Sequence, residues 1–201
     1  QSFVSIISGR SQEDLETWFG QYPLNLSAEH GFFIKKANDT WKHLNKEASF
    51  SWKPMIKTLM TDFSLSTPGS HVEEKKSSLV WHYRTCDPDY GKWKAQQLFQ
   101  ELSEAASNLP ITIHQGSQKN VEASSHYVNK GMAMKKMLTD QDFDLIFCAG
   151  DDITDETMFN STLDNLCSIK IGLNNSAANY KLESPEQLHQ LLNSFLDHET
   201  T

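Results

Sequence analysis

The sequence predicts an α/β fold: a parallel sheet with helices on both faces, into which a second α/β layer is inserted. Three observations lead there. Both ends of the chain alternate short β-branched or apolar runs with helical patterns, the signature of strands joined through helices. The middle instead carries two pairs of alternating strands around a long helix. Finally, the apolar run Asp144-Leu145-Ile146-Phe147-Cys148-Ala149 stops abruptly in Gly150-Asp151-Asp152-Ile153-Thr154-Asp155-Glu156. A short unbroken apolar run reads as a buried parallel strand, and its C-terminal end is where open α/β sheets bind ligands.

Taken in order, Phe3-Val4-Ser5-Ile6-Ile7 is a strand that runs into the turn Ser8-Gly9-Arg10. Ser11 can cap the helix that follows, with Leu15, Trp18 and Phe19 on one face. A glycine turn leading into a helix N-terminus is a common phosphate site. Leu24 to Ile34 reads as a strand, a turn and a short strand. After Ser51, the residues Trp52, Met55, Ile56 and Leu59 predict a helix, with Pro54 tolerated in its first turn. Residues 70–75 and 78–84 both alternate, so each strand is expected to have one polar and one apolar face. Asp87-Pro88-Asp89 opens a helix whose inner stripe is Trp93, Leu98, Phe99 and Leu102, and Asn108-Leu109-Pro110 stops it. Ile111–His114 and Asn120–Ala123 form a second pair turning at Gly116-Ser117. Lys130 then starts a helix whose Met132, Met134 and Met137 suit an irregular core. Ser168 to Leu173 supplies another strand, and Ser184-Pro185 starts the last helix. The expected layout is a discontinuous core at 1–40 and 125–201 around an insert at 41–124.

Composition narrows the function. A net charge of −8 argues against a nucleic-acid footprint, and no run of about 18 apolar residues is present to span a membrane. The start, Gln1-Ser2-Phe3-Val4, has no signal-peptide anatomy. The three cysteines are odd in number, and Cys148 lies in an apolar strand, which points to a reduced, cytoplasmic protein.

Four carboxylates within residues 151–156 repel one another unless a cation sits among them. A hard divalent ion such as Mg²⁺ meets that need, because it accepts one or two carboxylates and shares them with substrate phosphate. The competing reading is an acidic helix N-terminus, with Thr154 or Asp155 capping the turn that begins at Glu156. The Ser8 turn, Lys130 and the Asp151 to Asp155 loop are expected at one edge of the sheet. A hydroxyl and amides for phosphate oxygens, a lysine for phosphate charge and carboxylates for a metal are the parts of a phosphoryl-transfer site.

At these residues the sequence resembles a known family. Ser8-Gly9-Arg10, Lys130 in Val128-Asn129-Lys130-Gly131, and Gly150 to Glu156 are similar to the second, third and fourth motifs of the haloacid dehalogenase superfamily. Within it, Ala28-Glu29-His30-Gly31, Pro68-Gly69-Ser70 through Glu73-Glu74-Lys75, and Ser78 through Arg84 resemble the trehalose-6-phosphate phosphatases. The likeness runs from about Ser5 to Leu196.

The resemblance implies a partial Rossmann-like core with an inserted α/β cap, and hydrolysis of trehalose 6-phosphate through an aspartyl-phosphate, with Mg²⁺. By position, it implies that Ser8 binds a phosphoryl oxygen, Arg10 orients the turn or substrate, and Lys130 balances charge on the phosphorylated aspartate. Asp151 would ligate the metal, and Asp152 or Asp155 would support it directly or through another group. In the cap, Glu73, Lys75 and Glu122 would hydrogen-bond the distal glucose, with Arg84 near the sugar. Alternation puts Glu73 and Lys75 on one strand face, an acceptor beside a donor; on residue pattern alone Glu73, Lys75 and Glu122 read as a solvated ladder of surface charge, and the resemblance reverses that reading. His30 and His82 are read as structural. One departure is that Ala123-Ser124-Ser125-His126-Tyr127 follows Glu122, where the family often carries a basic residue.

The family's nucleophile is an Asp-x-Asp a few tens of residues before the Ser8 position. No Asp-x-Asp followed by glycine and threonine occurs in the chain, which begins seven residues before Ser8. The expectation is therefore a piece of a longer polypeptide, inactive by itself, with a trehalose-6-phosphate synthase domain as a possible fused partner. The alternatives are a catalytically silent regulatory or binding module of a trehalose synthase complex, or a phosphatase for another sugar phosphate.

Overall fold

The computed structural model describes residues 2–44, 49–116, 119–139 and 142–197. The chain forms two compact units, Gln1–Asn129 and Lys130–Thr201.

The first unit opens with β1 (Ser5–Ile7) and α1 (Gln12–Phe19). Ser11 caps α1, its side chain accepting from the Asp14 N–H, and Glu13 and Asp14 in the first turn complement the helix dipole. β2 (Asn25–Ala28) returns parallel to β1, the strand-helix-strand order that the sequence predicts. A 3-10 turn over Glu29–Gly31 then reverses the chain into β3 (Phe33–Lys35), which pairs antiparallel with β2, and β4 (Lys42–His43) adds an edge. Leu15, Ala28, Phe32, Phe33 and Val128 form the core here.

The inserted layer follows: α2 (Lys53–Leu65), β5 (His71–Glu74), β6 (Ser78–His82), α3 (Pro88–Ala105), β7 (Ile111–Gly116) and β8 (Asn120–Ser125). Its strands pair antiparallel in the order β5-β6-β8-β7. Leu79, Trp81, Val121 and Ala123 face the helices and join Ile56, Met60, Leu98 and Leu102 in the largest apolar core. Asp87 caps α3 by accepting from the Tyr90 N–H at 2.9 Å.

Two expectations change here. β6 is buried on both faces from Ser78 to Trp81, because its second face is covered as well. Met55, Trp93, and Trp18 of α1 lie outside rather than inside. Trp18 carries the Arg10 guanidinium and Trp93 the Lys94 ammonium over their rings, so aromatic surface is shielded by cations rather than by the core. Gly116 belongs to β7, and Ser117, its expected turn partner, lies outside the described residues.

The second unit holds α4 (Lys130–Leu138), β9 (Ile146–Gly150), a 3-10 turn (Ile153–Asp155), α5 (Glu156–Phe159), β10 (Leu166–Ile171), β11 (Tyr180–Leu182) and α6 (Pro185–Asp197). All its strands are parallel, in the order β11-β10-β9. β9 is half-buried rather than buried, since among the described residues it has a ladder on one side only. Met134 and Met137 are core residues, whereas Met132 is exposed. No helix among the described residues is long and apolar enough to cross a membrane.

Candidate active site

In the first unit, the Ser8 turn is tied to the strand beside it. The Ser8 amide donates to the Ser27 carbonyl at 2.9 Å, and the carbonyls of Ser8 and Arg10 accept from the amides of His30 and Glu29. Ser8 Oγ accepts the Arg10 N–H at 3.2 Å, so its own O–H points elsewhere. Arg10 itself is exposed. Gly9 is needed for close approach: a Cβ there would lie 2.4 Å from the His30 imidazole.

The cap layer reaches this turn through its β5–β6 hairpin. Lys75 Nζ donates to the Gly9 carbonyl at 3.0 Å, and the buried Glu29 carboxylate accepts both the amide and the hydroxyl of Ser77 at 2.7 Å. Lys53 Nζ in turn donates to the carbonyls of Lys75 and Lys76, which fixes the hairpin from below. Burial lowers the Lys53 ammonium below its ordinary value, against the opposing charges of Glu74 and Glu29.

Glu122, expected to touch sugar, is buried and stands 3.5 Å from His30 Nε2. Burial alone would raise its carboxyl, but His30 beside it and the Lys75 charge outweigh that and hold it at about 2. Register places Glu122 opposite Val80 on β6, and His82 opposite both His71 and Asn120, so these residues share one face of the cap sheet. Glu73, on the same face, is exposed and pairs with His82 at 2.7 Å, while His82 stacks on His71. Arg84 is exposed just beyond β6. Several atoms on or over this face are buried without a hydrogen-bond partner: Glu122 Oε1, His30 Nδ1, Ser78 Oγ and Asn120 Oδ1.

Linkage gives the Glu122 arrangement a pH signature. A folded-state pKa depressed from 4.5 to about 2 contributes stability that is present above 4.5 and lost as pH falls through about 2. The contribution is roughly 3 kcal/mol. Glu122→Gln is expected to flatten the stability curve between pH 4.5 and 2, measured by urea unfolding across that range; parallel curves for the two proteins would rule the linkage out.

The second unit holds the remaining four candidate residues, Lys130, Asp151, Asp152 and Asp155. Lys130 Nζ lies 2.6 Å from Asp155 Oδ1, both side chains being at most 10% exposed. Asp155 Oδ2 accepts the Asp152 N–H at 2.9 Å, so both of its oxygens serve the protein. Asp152 caps the 3-10 turn and completes a capping box with Asp155. The helix-terminus reading is realised in position: Asp155 is the N-cap residue of α5 but makes no capping bond there, and the capping side chain is Asp152, one turn earlier. Gly150 permits it, since a Cβ there would meet the Asp155 carboxyl at 2.3 Å. Asp151 is exposed and Asp152 half-buried. Among the described residues no three His, Cys, Asp or Glu side chains are grouped to hold a metal alone. Two neighbouring carboxylates still suit Mg²⁺, which binds through one or two carboxylates and keeps several waters.

Sequence reasoning missed three residues of these surroundings: His30 as the partner of Glu122, Glu29 as the partner of Ser77, and Lys170 beneath the acidic loop. Glu29-His30-Gly31 does carry one signal, a glycine beside two residues that all adopt positive φ.

Comparison with known proteins gives these residues a family. The trehalose-phosphatase family model matches residues 1–186. A Dictyostelium discoideum alpha,alpha-trehalose-phosphate synthase is 40% identical over 158 residues, covering 78% of this chain and 20% of that protein. The bifunctional trehalose-6-phosphate synthase/phosphatase of Thermoproteus tenax is 35% identical over 192 residues, covering 96% of this chain and 26% of its own length. The chain thus spans a fifth to a quarter of these curated relatives. The solved C-terminal domain of trehalose-6-phosphate phosphatase from C. albicans matches with a TM-score of 0.85 and 30% identity, over 94% of this chain and 76% of that one. The fold is that of the haloacid dehalogenase-like phosphatases. Sequence, fold and motif order agree, and the chain belongs to the trehalose-phosphatase family.

Proposed function

We propose that the protein carrying this chain hydrolyses trehalose 6-phosphate to trehalose and phosphate, in trehalose biosynthesis. The observation that carries this reading is the polar face of the cap sheet, where side-chain oxygens of the buried Glu122 and Ser78 and of the half-buried Asn120 are enclosed with unmet hydrogen-bonding capacity and Glu73 lies on the same face. Leaving such atoms unpaired costs about 1–3 kcal/mol each, and a polyhydroxylated ligand supplies the missing partners. Family membership gives the phosphate end of the same substrate.

In this reading residues 1–40 and 125–201 form the core and 41–124 the cap. The Ser8 hydroxyl donates to a phosphoryl oxygen, and Arg10 orients the turn or the phosphate. Lys130, aimed by Asp155, balances the charge of an aspartyl-phosphate. Asp151 and Asp152 would hold Mg²⁺, which when bound supplies further neutralisation of phosphate charge. Glu73, Lys75, Arg84 and Glu122 bind the sugar. The nucleophile is an aspartate that none of the 201 residues matches, so the chain alone is expected to release no phosphate. We place the protein in the cytoplasm, and a synthase domain in the same polypeptide would supply its substrate.

The test compares phosphate release from trehalose 6-phosphate, sucrose 6-phosphate and glucose 6-phosphate by a polypeptide that contains the chain and an upstream Asp-x-Asp. Preference for trehalose 6-phosphate, lost in Glu122→Gln, is expected. Equal rates on all three would sink the substrate assignment, and no turnover of any would favour a regulatory module.

A further inference from the structure

Lys170 lies in the middle of the second unit's sheet, on β10, with its register partner Gly150 at the mouth of the acidic loop. Its residue is only 3% exposed. The side chain turns beneath the loop and donates to the Asp151 carbonyl at 2.7 Å and the Asp152 carbonyl at 3.2 Å. Its remaining capacity faces Glu156, with Oε1 at 3.9 Å. That oxygen is buried without a hydrogen-bond partner, while the other Glu156 oxygen accepts the Ala177 N–H.

The consequence is an unusual degree of backbone fixation where the chain leaves β9. Two consecutive carbonyls are held by one lysine, the Asp152 N–H by Asp155, and the Ile153 N–H by the Asp152 side chain. The peptide planes on both sides of Asp152 are therefore pinned. With its backbone set, Asp151 keeps only its own side-chain torsions to adjust. A buried cation under four neighbouring carboxylates also offsets the repulsion that would otherwise spread the loop. A lysine merely filling core space would not need both carbonyls, whereas a buried ammonium is costly unless such acceptors hold it.

We propose that Lys170 is a positioning residue for divalent-cation binding by the Asp151-Asp152 loop: it grips the loop backbone so that the two carboxylates are set before the ion arrives. The proposal rests on the reading of that loop as a metal site. It concerns neither the substrate nor the nucleophile, so it can be tested on the 201-residue chain.

The experiment measures amide exchange by NMR and Mn²⁺ affinity by titration, for the wild-type chain, Lys170→Met and Lys170→Gln. The methionine keeps most of the unbranched stem and removes all three donors, while the glutamine keeps a neutral donor and serves if the methionine variant fails to fold. Exchange at Asp152, Ile153 and Asp155 is expected to rise at least about tenfold, with Ile169 and Ile171 in the ladder unchanged. Mn²⁺ affinity is expected to fall about 10–100-fold, as for lost supports of other metal sites. Binding and loop exchange equal to wild type in a folded variant would overturn the proposal while leaving the metal reading intact. A uniform rise across the whole sheet would also overturn it, by making Lys170 a general stabiliser. No Mn²⁺ binding by the wild-type chain would remove the metal reading and the proposal together.

Discussion

Asp155→Ala is expected to lower the stability of the second unit by about 3–5 kcal/mol, the usual cost of breaking a buried ion pair from one side. The loss has two parts. Lys130 Nζ, whose side chain is 10% exposed, would be left without its carboxylate at 2.6 Å. The Asp152 N–H would also lose its acceptor, and the capping box would open. Folded domains carry about 5–15 kcal/mol in all, so a change of this size leaves little margin. Lys130→Met alone should cost a similar amount, because it strands the carboxylate instead. The double replacement Lys130→Met with Asp155→Leu should recover the part that comes from stranding a charge, since a well-packed apolar pair often equals a buried ion pair, while the Asp152 N–H still lacks its acceptor. Urea unfolding of the four proteins checks this; equal midpoints for the single and double variants would show that pairing is not the source.

The second large effect belongs to the cap. Trp81, on β6, is fully buried, stacks on Tyr83 and donates its indole N–H to Ser64 Oγ at 2.9 Å. Trp81→Ala should cost about 3–5 kcal/mol, from lost transfer energy and the cavity left between the sheet and α2. Trp81→Phe should cost less, because it keeps the aromatic contact and loses mainly the hydrogen bond, worth about 1 kcal/mol. Since this core is the largest apolar cluster of the first unit, tryptophan fluorescence and circular dichroism should report the loss together. A Trp81→Ala protein with an unchanged unfolding midpoint would mean that the cap core repacks.

What the sequence allowed to be read, and what it hid, follows from the range of the interactions. The helices starting after Ser11 and Asp87 were legible because a capping side chain acts within three residues. The acidic loop was legible because β9 is a local apolar run that ends at a glycine. Trp18, Met55 and Trp93 misled because helical spacing marks a stripe but not its width, and the cores close over Leu15, Ile56 and Leu98 instead. β11 was not foreseen, since Tyr180-Lys181-Leu182 is too short to carry a pattern and exists by pairing with β10. Lys170 was hidden for a related reason: in Ile169-Lys170-Ile171 a lysine between β-branched residues reads as the wet side of a strand. Only the folded loop supplies the carbonyls that let it go inside.

The Glu29-His30-Gly31 turn carries a consequence for how the first unit folds. Glu29 and His30 both adopt left-handed backbone, at φ 48° and 58°, which costs each of them about 1–2 kcal/mol locally. Within the turn only the bond from the Phe32 N–H to the Glu29 carbonyl offsets that cost: the amides of Glu29 and His30 are held by the Arg10 and Ser8 carbonyls, the Glu29 carboxylate by Ser77, and His30 faces Glu122. The turn is therefore disfavoured until the Ser8 turn, the cap hairpin and β8 are all in place. It should lie on the late side of the folding barrier, where removing the Glu29 contact speeds unfolding while refolding keeps its rate. A segment that looks like a simple local turn is in this sense the last clasp of the unit, closed by residues that are far away in the chain.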